Sequence, residues 1–473
     1  MSTKIVKKSI TSSGLIALGA GGTIGSSWIY TNSQFFREYG AGGEIGGLLL
    51  AAVLAIFAAL SFAELATTFV RAGGEVVYGY VAFGKPGAIF AAWALLGGYI
   101  SLLGFYVTAS SLLLARLFPI ITKGIGYSFA GVRISLVELA IGVLITLVVY
   151  GVTYRGAHLT SKVQVVLLSG LIILGLILIV IGFSHGSMHN FWPAFHNQQK
   201  PLPAIIRFVI PAMTFLTGWE SVATLAEEAQ MPARKIGLIV IFSIVLAATY
   251  YISVLLASAW IWPWQKTAQM TMGTIDAFTA AGFPILGMIA FGISALGLMT
   301  GFLNLFSASS RLLFSLARGN LLPQGIAQLH ARYQTPARAV SVVLVLVLAL
   351  GWLGKGALVY FLDVGGFLIA LAWAFNVLCL LKIRHQYPHL PAGFRNRHLL
   401  WPIIGGVASL SIAVINFLPI TKYSLIWPIE YLLLAIWAVF GLIILWRSRF
   451  YSVDTQALLG KDMIHKLTQN KNP

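Results

Sequence analysis

Residues 19–28 read GAGGTIGSSW and sit inside an apolar run that covers residues 10–32. Gly19, Gly21, Gly22 and Gly25 all fall within one prospective helix, and each weakens a helix by about 1 kcal/mol relative to alanine. A run long enough to cross a bilayer is therefore expected to break near its middle. A break there bares amides and carbonyls, which hydrocarbon tolerates only where they line a cavity or hold something. Helix packing is the competing explanation, because Gly21 and Gly25 also form a GxxxG pair. A dinucleotide fingerprint is excluded, since Ile24 fills its last small position and no strand precedes it.

The sixth apolar run repeats the pattern. Residues 211–232 read PAMTFLTGWESVATLAEEAQMP, where Pro211 and Gly218 disfavour continuous helix and Glu220 places a carboxylate among apolar neighbours. On insertion scales such a charge costs about 2.5–3.5 kcal/mol at a helix centre, so it is expected to face a cavity or a partner. A protonated Glu220 that only ties helices together is the plainer alternative. Two interrupted helices, each opening a group of five spans, are the pattern of an inverted-repeat carrier.

The rest of the chain sets these breaks in a membrane. Its 473 residues are 58% hydrophobic and 9% charged, against roughly 25% charged in a soluble domain. Runs near the ~20 residues that cross ~30 Å of hydrocarbon fall at 10–32, 42–68, 87–118, 134–150, 163–183, 204–228, 236–262, 283–314, 337–353, 356–381, 400–417 and 427–446. They are too long and too evenly apolar for barrel strands. The expected fold class is an all-α polytopic membrane protein of about twelve transmembrane helices, one domain over residues 1–473, with the lipid bilayer as its surround. Lys4, Lys7 and Lys8 before the first run imitate a signal peptide, but continuation through Trp28 and Ile29 favours an uncleaved helix.

A net charge of +18 would suggest nucleic acid in a soluble protein. Here the cations lie between spans, so no nucleic-acid partner is expected. With the N-terminus inside, 22 of the 31 Lys and Arg fall on cytoplasmic segments, and both termini are expected there. Arg116, Lys123 and Arg133 fit this arrangement least well. His185 and His189 share an outer loop without further ligands, and Cys379 stands alone, so no metal or cofactor is expected. Neither paired acids nor a nucleophile with a base is present to suggest an enzyme.

Several stretches resemble one family. GGTIGSSWIY (21–30) resembles the helix 1 signature G-x-I-G-S-G of the amino acid–polyamine–organocation (APC) superfamily. AELATTFVRAGGEVVYGYVAFG (63–84) is similar to its helix 2 end, and GWESVATLAEEAQMPARKIG (218–237) to its helix 6 pattern. SRLLFSLARGNLLP (310–323) and LKIRHQYPHLP (381–391) resemble the stretches after helices 8 and 10. Ser27, Val70, Val77 and Gly237 depart from the usual residues.

The resemblance implies a leucine-transporter-like core of ten helices in two inverted repeats, residues 10–183 and 204–381, with two appended helices at 400–446. A permease in the plasma (inner) membrane is implied, moving amino acids or related amines by alternating access. Substrate is expected at mid-membrane against Gly21, Gly22, Thr23, Ile24, Gly25 and Ser26, with Thr217, Gly218, Trp219 and Glu220 opposite. Trp219 is either a wall of that pocket or a packing residue. Asp363 on helix 10 either lines the cavity or bonds neighbouring helices. Glu227 and Glu228 read by default as solvated charges, with an ion-pair gate to Lys162 or Arg311 as the alternative.

Coupling is read from the same comparison. Sodium-coupled relatives hold the ion with helix 1 carbonyls and helix 8 hydroxyls, and some proton-coupled relatives place a lysine on helix 5. Residues 163–183 contain no lysine. Thr300, Asn304 and Ser307 share one face of helix 8 but run toward Arg311, a poor neighbour for sodium. A lone buried Glu220 suits a proton better. The expectation is a proton-coupled symporter, or an exchanger of one substrate against another. Sodium symport is the alternative, as is a non-transporting amine sensor of the same fold. Such a sensor would carry a large soluble domain, and the stretch after Trp446 is short.

Overall fold

The computed structural model describes residues 6–469 apart from Ser26, Asn197, Gln198, Ile420 and Lys422, so the candidate Ser26 lies outside the described residues. Helix α1 (Ser12–Thr23) starts where the Thr11 side chain accepts from the Gly14 amide, and it stops at the glycine-rich stretch. Helix α2 (Trp28–Thr68) begins after four intervening residues. Its 41 residues span about 60 Å at 1.5 Å per residue, twice a bilayer core. Gly40 resolves the excess by bending the helix at φ +74°, ψ 163°. The segment read as an outer loop at residues 33–41 is thus helix on both sides of one glycine. Helix α3 (Gly74–Leu117) bends in the same way at Gly84, φ +68°. A Cβ there would touch nothing, so backbone angle alone selects glycine.

Two short strands, β1 (Gly126–Phe129) and β2 (Val132–Ser135), form a hairpin between the third and fourth apolar runs, where the sequence predicts no regular structure. Ala130 and Gly131 both take positive φ, as a type I′ turn requires. Helix α4 (Leu136–Tyr154) opens with a Ser135/Glu138 capping box. Helix α5 (Ala157–His185) follows, then α6 (Pro201–Phe215), which ends at the second break. Helices α7 (Ala233–Ile261), α8 (Pro284–Arg318), α9 (Ala337–Gly351), α10 (Leu358–Gln386), α11 (Leu400–Phe417) and α12 (Ile429–Ser448) complete the bundle. Among the described residues nine helices are long and apolar enough to cross a membrane, and α6 and α9 are shorter apolar helices. All twelve apolar runs of the sequence fall on helices, the first shared between α1 and the start of α2.

Burial separates the core from the lipid-facing rim. Half of α1 is glycine and alanine, and it packs against α5, α7 and α8 at the centre. On α5, Val166, Ile173 and Val180 recur every seven residues and are exposed, while Gln164, Leu171, Gly175 and Leu178 face inward. Helix α12 buries only 11% of its most apolar window, against 89% for α3, so α12 is a rim helix. The tail returns under the bundle. Helix α13 (Thr455–Leu459) seats Leu458, fully buried, beside Gly319, and the Arg71 Nε donates to the Leu459 carbonyl at 3.1 Å.

Candidate binding site at two helix breaks

The first break is held open by a tyrosine. Tyr251 of α7 donates its hydroxyl to the Thr23 carbonyl at 2.6 Å and accepts from the Gly25 amide at 2.9 Å. The Phe215 carbonyl, at the end of α6, is 3.3 Å from the same hydroxyl. One side chain therefore gathers the backbone of both breaks. Trp28 donates its indole N–H to the Gly25 carbonyl at 2.8 Å and packs edge-on against Tyr251. Thr300 on α8 donates to the carbonyls of Gly297, at 2.9 Å, and Ile24, at 3.3 Å. Gln164 of α5 donates to the Thr300 carbonyl at 3.1 Å, behind Gly21.

At the second break Gly218 takes φ +116°, a conformation other residues rarely adopt. Its carbonyl accepts from Asn304 Nδ2 at 2.9 Å and Ser221 Oγ at 2.6 Å, and its amide donates to the Glu220 carboxylate at 2.9 Å. The two breaks touch here: a Cβ on Gly218 would lie 2.5 Å from the Gly22 carbonyl oxygen, and a Cβ on Gly22 1.8 Å from Asn304 Nδ2. Glycine at both positions is what allows the contact.

A cavity of about 250 Å³ lies against these breaks, lined by Gly22, Thr23, Gly25 and Thr217 at its base and by Phe35, Ile210, Asp363, Asn416 and Tyr423 farther out. The structure thus brings four of the expected binding residues to one cavity. Gly21 and Ile24 are buried behind it, and Gly218 forms the joint between the breaks. Trp219 does not line the cavity but packs between Phe62, at 5.0 Å, and Trp373, at 4.9 Å. Glu220 is fully buried with the buried Tyr99 hydroxyl beside its carboxylate, and Asn304 Oδ1 and Ser307 Oγ are buried without a partner among the described residues.

Beyond the breaks, on the side of the N-terminus, the bundle is shut by buried ion pairs. Arg311 meets Glu228 through Nε at 2.7 Å and Nη2 at 3.3 Å. Glu227 binds Arg318 at 2.7 Å and Arg71 at 3.3 Å, and also accepts from the Ala72 amide at 2.7 Å. The solvated default for these acids gives way to the paired arrangement, with Arg311 as partner; Lys162 is exposed. Ser9 and Ile10 donate their amides to the Glu228 carbonyl, and Gln230 donates back to Ile10, which laces the entry of α1 to the same layer. Tyr251, Gln164 and Asn416 were not singled out from sequence, because a lone polar residue in an apolar run carries no sign of which distant backbone it meets.

A family profile described as amino acid permease matches residues 10–440. The branched-chain amino acid permease BcaP of Lactococcus lactis subsp. cremoris (strain MG1363) is 26% identical over 407 residues, covering 81% of this chain and 86% of that protein. The methylthioribose transporter of Bacillus subtilis (strain 168) is 25% identical over 407 residues, covering 83% and 85%. Cationic amino acid transporter 4 of Mus musculus is 27% identical over 398 residues, covering 82% of this chain but 61% of its own longer length. The chain is an integral, multi-pass, all-α membrane protein. It belongs to the amino acid permease family of the APC superfamily.

Proposed function

We propose that the chain is a secondary active transporter that moves amino acids or related amines by alternating access. The observation that carries this reading is the cavity at the meeting of two broken helices, with Gly25 and Thr217 on its wall. Backbone freed by such breaks suits a zwitterion, since amides at a helix start attract a carboxylate and carbonyls at a helix end attract an ammonium. Relatives named for branched-chain and cationic amino acids support the same substrate class. In this reading residues 10–183 and 204–381 are inverted repeats, and residues 400–446 are appended helices. Both termini lie in the cytoplasm and the protein resides in the plasma membrane. The Glu228–Arg311 and Glu227–Arg318 pairs then close the inner side, the cavity opens outward past Phe35 and Tyr423, and transport requires those pairs to part.

Glu220 is the proposed proton carrier, because it is fully buried where the two breaks meet and has no cation as partner among the described residues. Uptake of labelled amino acid into proteoliposomes under an imposed pH or sodium gradient tests the coupling. Accumulation should follow the pH gradient or an internal counter-substrate, and Glu220→Gln should lose the response to pH. Strict dependence on sodium with a fully active Glu220→Gln variant would refute it.

A further inference from the structure

The outer end of the cavity differs chemically from its base. Asp363, on the first turns of α10, is half-buried and is the one carboxylate lining the cavity; no Lys, Arg or His lines it among the described residues. No hydrogen bond or ion pair satisfies Asp363 among those residues. Asn416, at the end of α11, is 8% exposed and presents an Oδ1 acceptor without a partner. Glu430, on the first turn of α12, is fully buried; its Oε2 accepts from the Ile426 amide at 2.6 Å, while its Oε1 has no partner. The Glu430 and Asp363 carboxyls lie within electrostatic reach of each other. Arg207 acts on Tyr39 and Tyr423 near the same mouth, but it is exposed and forms no ion pair with Asp363 among the described residues.

Two carboxyls and an amide oxygen, from three helices, thus lie near one another without a cationic partner among the described residues. Buried acceptors are satisfied by donors in nearly all proteins, and a carboxylate beside a second carboxyl forms its strongest hydrogen bonds with a charged donor. The base of the cavity, by contrast, offers backbone and hydroxyl groups suited to a zwitterionic head. We propose that Asp363 and Asn416, backed by Glu430, form a subsite for the side-chain ammonium or guanidinium of a cationic amino acid whose α-amino and carboxylate groups sit at the helix breaks. This rests on the transporter reading and adds the substrate class to it. Asp363 supplies the charge, Asn416 an acceptor beside it, and Glu430 holds the field negative from behind.

Equilibrium binding of lysine, arginine, leucine and alanine to the purified protein tests the subsite. The expected result is that lysine and arginine bind, and that Asp363→Asn lowers the cationic-to-neutral affinity ratio by roughly 10- to 100-fold, the value of a charge-assisted hydrogen bond. Asp363→Glu should restore most of that ratio. Should Asp363→Asn fail to fold, Asn416→Leu carries the same measurement, with a smaller fall in the ratio expected. A wild-type protein that binds leucine but neither lysine nor arginine overturns the subsite and leaves the transporter reading intact. An unchanged ratio in the Asp363 and Asn416 variants overturns it as well. Binding of none of the four overturns the amino acid reading of the whole cavity.

Discussion

Gly25 and Gly218 occupy corresponding places at the two breaks, yet their surroundings differ. A Cβ at Gly25 would meet only Tyr106 Oη, at 4.0 Å, whereas one at Gly218 would strike the Gly22 backbone in a positive-φ conformation. From sequence alone both positions read as space kept for substrate. The structure leaves open cavity space beside Gly25 and makes Gly218 a joint between helices. Gly218→Ala is therefore expected to destabilise the protein by about 1–3 kcal/mol, as overpacking does, while Gly25→Ala shifts stability by less than about 0.5 kcal/mol. Thermal unfolding in detergent measures both. Glu220 was legible as a buried acid because charge is conspicuous in an apolar run. The Trp219 position was not, since an indole serves as wall or filler equally well until Phe62 and Trp373 are seen beside it.

The elements show where local signals suffice and where they fail. Glycines betrayed the break between α1 and α2, and Pro211 with Gly218 betrayed the end of α6, because each acts on its own backbone. The bend at Gly40 escaped notice because residues 33–41 are polar enough to read as loop, although hydrogen bonds carry the helix through on both sides. Ion pairs between elements were legible only as options. Glu228 and Arg311, 83 residues apart, are now seen to join the post-break turn to α8. Removing one partner of a buried pair strands the other, so Glu228→Gln is expected to cost about 3–5 kcal/mol in stability. The double variant Glu228→Leu with Arg311→Met should cost less than Glu228→Gln alone. Equal losses for the single and double variants, in the same unfolding assay, would mean that the pair is not what holds this layer.

For the whole molecule, orientation decides which side each device serves. The proposed orientation puts Gln328, in the segment between α8 and α9, in the cytoplasm, and Ser128, on the hairpin, outside. Both residues are exposed, and Cys379 is buried and replaceable by alanine. In that background, an impermeant thiol reagent applied to intact cells should label Ser128→Cys and spare Gln328→Cys. The reverse pattern would invert the protein and place the ion-pair layer on the outside. The central claim, that substrate sits against the broken helices, is met most directly at Gly25, where a larger side chain enters the cavity without disturbing the fold. Binding and uptake of labelled amino acid by reconstituted wild type and Gly25→Leu protein measure it. The wild type should bind and accumulate substrate, and Gly25→Leu, with an unaltered melting temperature, should do neither; normal binding by Gly25→Leu would place the substrate elsewhere.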